Sequence, residues 1–157
     1  MQQQDEDILS NLEINLVQAS QGKRFANYLI DLVVFYLLAF AVGIMLAIAS
    51  PETIEEMDET GGYIILDRVV SLLMYGLYMF AIEAIFKGKS LGKMITGTKA
   101  VNEDGGNISV RTALLRGLSR AVPFEAFSAL GTPSHPWHDK WTHTYVIDEK
   151  LSMRPIE

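Results

Sequence analysis

Eighteen consecutive residues, Leu32–Ala49, carry no charge and present no polar face. A helix of ~18 or more such residues is long enough to cross the ~30 Å hydrocarbon core of a bilayer. Composition alone does not decide the matter, because a 49% apolar content is compatible with a soluble domain. The distribution decides it. A polar, acidic segment of over twenty residues precedes the run, whereas a secretory signal has a short basic start and an apolar stretch of only ~7–15 residues. The expectation is a retained transmembrane helix over about 25–49, ended by Ser50-Pro51 because proline cannot continue it.

A second apolar helix is expected over about 64–86, with Asp67 and Arg68 near its start, Glu83 near its end and Lys87-Gly88-Lys89 stopping it. The loop between the two helices holds Glu52, Glu55, Glu56, Asp58 and Glu59 and no base, while Lys23, Arg24, Lys87, Lys89, Lys93 and Lys99 flank the opposite ends. Basic flanks stay inside, so the N-terminus and the second connection are expected in the cytoplasm. The third helical segment, about 109–130, is interrupted by Pro123 and carries Arg111, Arg116 and Arg120. Each arginine at mid-bilayer costs at least ~2.5–3.5 kcal/mol. The segment is amphipathic, with Leu114, Leu118, Ala121 and Val122 on one face and Thr112, Arg116, Ser119 and Arg120 on another. An interfacial or re-entrant helix–break–helix suits it better than a third crossing, which leaves the C-terminus cytoplasmic too.

The fold class expected is therefore a membrane all-α domain with two transmembrane helices, an interfacial helical segment and a small cytoplasmic β element. A disordered tail (1–11) and a C-terminal tail (149–157) flank the membrane domain (12–148). Gly97–Ile108 reads as a β-hairpin turning at Asp104-Gly105-Gly106, and strands near 12–16, 98–101 and 143–147 are expected to share one sheet.

Ionisable residues inside membranes are functional candidates by default. Asp31 lies seven positions after Arg24, two turns on and ~10 Å deeper, with Asn27 between them on nearly the same face. It is either an ion or proton site or one half of a structural pair with an arginine of the third segment. Glu83 falls in the same leaflet, and Arg116 and Arg120 share a helix face. These groups describe a half-cavity open to the cytoplasm, so a transport route would need an oligomer or a partner to complete it. Gly88-Lys89-Ser90 is not a phosphate-binding loop, because the position five before Gly88 is Glu83 rather than glycine. His135, His138, Asp139 and His143 have a spacing that could hold zinc, but Pro133 and Pro136 point to a structural loop. Trp137 and Trp141 suit interfacial anchoring. The absence of cysteine excludes thiolate sites and disulfides, and a net charge of −6, with the basic residues clustered away from the acidic tail and loop, gives nucleic-acid binding little support.

Taken in order, four stretches resemble the RDD family of bacterial and archaeal membrane proteins. They are Gly22–Asp31, the run from Gly88-Lys89-Ser90-Leu91-Gly92-Lys93 to Asp104-Gly105-Gly106, Leu115–Arg120, and His138–Thr144. The resemblance maps the arginine and two aspartates of the name to Arg24, Asp31 and Asp139. It departs from the family where a long apolar stretch often follows the arginine-rich helix, since only Phe124–Leu130 stands there. It implies a bacterial inner-membrane protein for which transport, including sodium/proton antiport, has been proposed.

The function expected is an oligomeric, non-enzymatic transporter of an ion or small solute, exchanging a monovalent cation or proton through a network of Arg24, Asp31, Glu83, Arg116, Arg120 and Asp139. The alternative is a membrane subunit that organises a partner complex. Partners are the lipid bilayer and a second copy or another membrane protein, with no cofactor, metal or nucleic acid. The topology has a direct check. Cysteines introduced as Glu56→Cys should react with an impermeant maleimide from outside, and Asn102→Cys and Lys150→Cys only from the cytoplasm. External labelling at position 150 would mean that the third segment crosses.

Overall fold

The computed structural model describes residues 16–52, 64–131 and 134–152. The tail 1–11, nearly all of the strand expected at 12–16, the acidic loop from residue 53 to residue 63, and the last five residues lie outside them. Two long helices dominate, α1 (Gln21–Ala49) and α2 (Ile64–Ile85). Both are long and apolar enough to cross a membrane. Ser20 caps α1, its side chain accepting from Lys23 N at 3.4 Å, which places the start one turn earlier than hydropathy indicates, because the first turn is polar.

Beyond α2 the chain folds into short elements. A turn at Lys87–Gly88 leads to α3 (Leu91–Thr96), then β1 (Thr98–Asn102), α4 (Val110–Arg120), a 3-10 helix (Glu125–Leu130), α5 (Trp137–Lys140), β2 (Thr144–Asp148) and α6 (Glu149–Ser152). β1 pairs antiparallel with β2, Ala100 opposite Val146. The expected hairpin is thus a stub. Its turn closes with Asn102 N donating to Gly106 O at 2.9 Å and a single bridge between Val101 and Asn107. The physical reason is length, since Ser109 already caps α4 and leaves no residues for a second arm. The chain before α1 joins the sheet at Gln18, which bridges Ile147. Residues 149–152, expected as the start of a tail, form α6. Ser152 Oγ accepts from Val17 N at 3.0 Å and ties α6 to the segment before α1.

The molecule is organised with its charges inward and its apolar side chains outward. On α1 the only buried positions are Arg24, Asn27 and Asp31, while Phe25, Val33, Leu37, Phe40 and Ile48 are each more than half exposed. In α4 the polar face turns in, burying Arg116, Gly117, Ser119 and Arg120, and Val110, Leu115 and Leu118 face out. Exposed apolar area on this scale marks a surface covered by something other than water. The small apolar core of Ala19, Ala100, Ile108, Ala113 and Val146 sits at the sheet.

α2 packs chiefly on α4, and glycine makes the crossing close. A Cβ on Gly76 would sit 2.6 Å from Gly117 O, and one on Gly117 would sit 2.5 Å from Gly76 O and 2.8 Å from Phe80 Cβ. Small residues that let backbones touch are the usual device of helix pairs in lipid. Gly117→Val should therefore lower the melting temperature of the detergent-solubilised protein, in line with the ~1–3 kcal/mol of overpacking. Gly43→Ala, on α1 with nothing within 4 Å, should leave it unchanged or raise it slightly. Equal responses would show that the Gly76–Gly117 approach carries no constraint.

Candidate functional site: a buried charge network beside a cavity

Six elements each contribute a buried charged or hydroxyl side chain to one network. Arg116, from α4, has no exposed surface. Its Nε donates to Glu83 Oε2 at 2.8 Å and its Nη1 to Asp139 Oδ1 at 2.6 Å and to Thr144 Oγ1. Arg120, one turn on, donates from Nη2 to Glu83 Oε1 at 2.7 Å. Lys93 of α3 donates to the same oxygen at 2.6 Å. On the other side, Arg24 of α1 donates to Asp139 Oδ2 at 2.5 Å and to the carbonyls of Ala19 and Val146. The chain of pairs runs Arg24–Asp139–Arg116–Glu83, with Lys93 and Arg120 closing on Glu83. Glu83 and Asp139 are wholly buried, so these pairs are dry.

Electrostatics follow from this crowding. Burial pushes the Asp139 carboxyl up, but Arg116, His138 and Arg24 outweigh it and hold it well below the usual carboxylate range. Three cations converge on Glu83, and the lysine yields. Burial pushes Lys93 down, Glu83 pulls it up, and Arg116 and Arg120 push it down again, leaving it at about 8. At the edge of the network His138 Nδ1 lies 2.5 Å from Glu125 Oε1. Burial, then Arg120, pushes the imidazole below its ordinary value, while Asp139 and Glu125 pull it up.

Asp31 stands apart. It is 2% exposed, yet among the described residues it makes no ion pair. Gly92 N donates to Oδ1 at 2.8 Å and Ser90 Oγ to Oδ2 at 2.5 Å. Of the two alternatives for Asp31, the pair with an arginine of the third segment does not form among the described residues. Arg116 is drawn away by Glu83 and Asp139, and Arg120 by Glu83. The approach of α3 to α1 depends on Gly92, where a Cβ would sit 2.5 Å from Asn27 O. The Asn27 amide bridges the hydroxyls of Thr96 and Thr98 beside it, at 2.5 and 2.9 Å.

Asp31 and Arg120 line a cavity of about 780 Å³ between α1, α2 and the 3-10 helix, with apolar walls that include Leu32, Phe35, Leu72 and Tyr75. All six residues expected to form the site are buried. Five join through ion pairs, and Asp31 is the sixth. Lys93, Ser90, Thr144 and Glu125 were not anticipated. Their signal in the sequence is faint, a serine three residues before a lysine at the start of an element too short to show a period. The histidines separate, His135 stacking on Tyr145 at 5.2 Å and His143 facing Glu103 on the surface. Among the described residues no three metal-ligating side chains gather.

The model of the RDD family matches residues 18–144, most of the chain and all of this network. The chain belongs to the RDD family. RDD proteins are membrane-associated, which agrees with two long helices whose apolar side chains face out. Neither a curated protein nor a solved structure matches the chain. In this RDD protein the arginine at the start of α1 and the aspartate of α5 meet directly, 115 positions apart in sequence.

Two measurements test the network. Arg116→Ala leaves Glu83 and Asp139 buried beside fewer cations, a change that costs ~3–5 kcal/mol when a buried pair is broken. Its melting temperature should fall far below that of Arg111→Ala, whose side chain is exposed. Equal, small effects would mean that Arg116 does not hold the fold. Lys93 tests the sign of the coupling. Between about pH 8 and its ordinary value of 10.5 the folded protein holds fewer protons than the unfolded chain, so stability should rise with pH across that window. The stability of wild type minus that of Lys93→Met should climb there, and a flat difference would show that Lys93 is not depressed.

Proposed function

We propose that this RDD protein is a multi-pass transporter of the cytoplasmic membrane that exchanges protons for an ion or small solute, working as an oligomer and without enzymatic chemistry. α1 and α2 cross the bilayer, α4 and the 3-10 helix lie at its inner face, and both chain ends are cytoplasmic. The exposed aromatic residues Phe124, Phe127 and Trp141 suit that interface, as do the lysines around α3.

One observation carries the reading. Asp31 is a carboxylate inside a helix long and apolar enough to cross a membrane, without an ion-pair partner among the described residues, at the edge of a cavity. Glu83 and Asp139 are fixed by ion pairs, and we assign them to structure. Asp31 is held only by a hydroxyl and an amide N–H. Protonated, it can donate back to Ser90 Oγ with little rearrangement.

The second reading, a non-transporting subunit that organises a partner complex, draws on a different observation, the paired and dry state of Glu83. Proteoliposomes containing a pH-sensitive dye separate the two. With sodium chloride on both sides to supply an exchangeable monovalent cation, an imposed pH gradient should collapse faster with wild-type protein than in empty vesicles, and Asp31→Asn should return the rate to background while keeping a cooperative melting transition. Flux that survives Asp31→Asn, or no flux in wild type, would sink the transport reading and leave the second.

A further inference from the structure

The cavity holds more charge than the proton chemistry of Asp31 uses. Besides His138, six charged side chains line it: Arg24, Asp31, Arg68, Lys93, Arg120 and Glu125. Arg24, Lys93 and Arg120 already donate to Asp139 and Glu83. That leaves Asp31 and Glu125 as acids and Arg68 as a base. Glu125 faces His138 N and Nδ1 through Oε1 alone, so its Oε2 is left for another donor. Asp31 accepts one hydrogen bond on each oxygen, and an ionised carboxylate has about four acceptor positions. Arg68 is exposed and makes no ion pair or hydrogen bond among the described residues.

The two signs lie at opposite ends. The start of α1 and the end of α2 meet in the ion-pair network through Arg24, Asp139, Arg116 and Glu83. From that level Asp31 lies ~10 Å along α1, counted from Arg24, and Arg68 lies ~22 Å along α2, counted from Glu83. Roughly 12 Å of helix axis therefore separates the acid from the base. Leu32 and Phe35 of α1 and Leu72 and Tyr75 of α2 line the wall between them. A volume near 780 Å³ lies within the ~300–1,000 Å³ of sites that enclose small molecules. The cavity is thus bipolar, with an apolar middle.

We infer that this cavity binds a short apolar peptide with free ends, its ammonium at the Asp31 and Glu125 end and its carboxylate on Arg68. Three extended residues span about 10–11 Å, which is the reach the two ends require. A guanidinium fork meets a carboxylate with two parallel hydrogen bonds, and apolar peptide side chains match the wall between. The inference names the solute class of the transport reading and rests on that reading for its purpose. An ammonium and a proton compete for Asp31, so loading one releases the other, as an exchange requires.

The test uses the full chain in phosphatidylcholine nanodiscs with radiolabelled trileucine, and empty nanodiscs as the blank. Binding should saturate. N-acetyl-trileucine and trileucine amide each lack one end charge and should compete about tenfold less well. Leucine, whose charges are too close together to reach both ends, should compete no better than they do. Arg68→Gln should weaken trileucine binding about tenfold and bring it level with the amide. Its melting temperature should stay at that of wild type, because no ion pair is lost. Asp31→Asn should weaken trileucine but not N-acetyl-trileucine. An absence of saturable binding, an amide that competes as well as trileucine, or wild-type affinity in Arg68→Gln would overturn the inference. Protein that moves protons but binds no trileucine refutes this inference alone, and protein that binds trileucine but moves no protons refutes the transport reading alone.

Discussion

Arg116 is the residue on which the remainder of the structure leans. A guanidinium with no exposed surface is costly unless its charge is met, and here Nε and Nη1 are met while Nη2 has no hydrogen-bond partner. Glu83 meets one edge from α2, and Asp139 and Thr144 meet another from α5 and β2. Asp139 then reaches Arg24 on α1. One side chain thus joins the second long helix, the small sheet and, through a single further link, the first long helix. In water such an arrangement competes poorly with an apolar core. In a bilayer the hydrophobic effect gives little drive for helix association, and ion pairs and close backbone contact can take its place.

Much of this was legible in the sequence, and the reason is periodicity. Arg24, Asn27 and Asp31 interrupt an apolar helix at helical spacing, so their common inward face could be read directly. Arg116 and Arg120 stood out because arginine is expensive in lipid, and the polar face they share is the face that turned inward. The resemblance of four ordered stretches to the RDD family also held. Pairings across long sequence distances were not legible. Nothing local says that Asp139 belongs with Arg24 and Arg116, or that Asp31 would be met by α3 rather than by an arginine. α3 itself, six residues long, is too short to show a period, so Lys93 read as a flanking charge when it is a buried partner of Glu83. The hairpin was misread because turn chemistry fixes a reversal and not the strand's partner.

The Gly76–Gly117 contact has a mechanical consequence. Two backbones in contact across a helix crossing have no side-chain layer to slide on, so α2 and α4 travel as one body and carry Glu83, Arg116 and Arg120 with them. α1 packs instead on α3, and it meets α2 mainly through Phe35 against Tyr75 and Tyr78. The cavity beside Asp31 lies along the seam between these two bodies. Contacts that cross that seam among the described residues include an aromatic cluster at one level and, at the other, the bonds from Arg24 to Asp139 and from Lys93 to Glu83. Those two ion pairs are the latch of the molecule as well as part of its core.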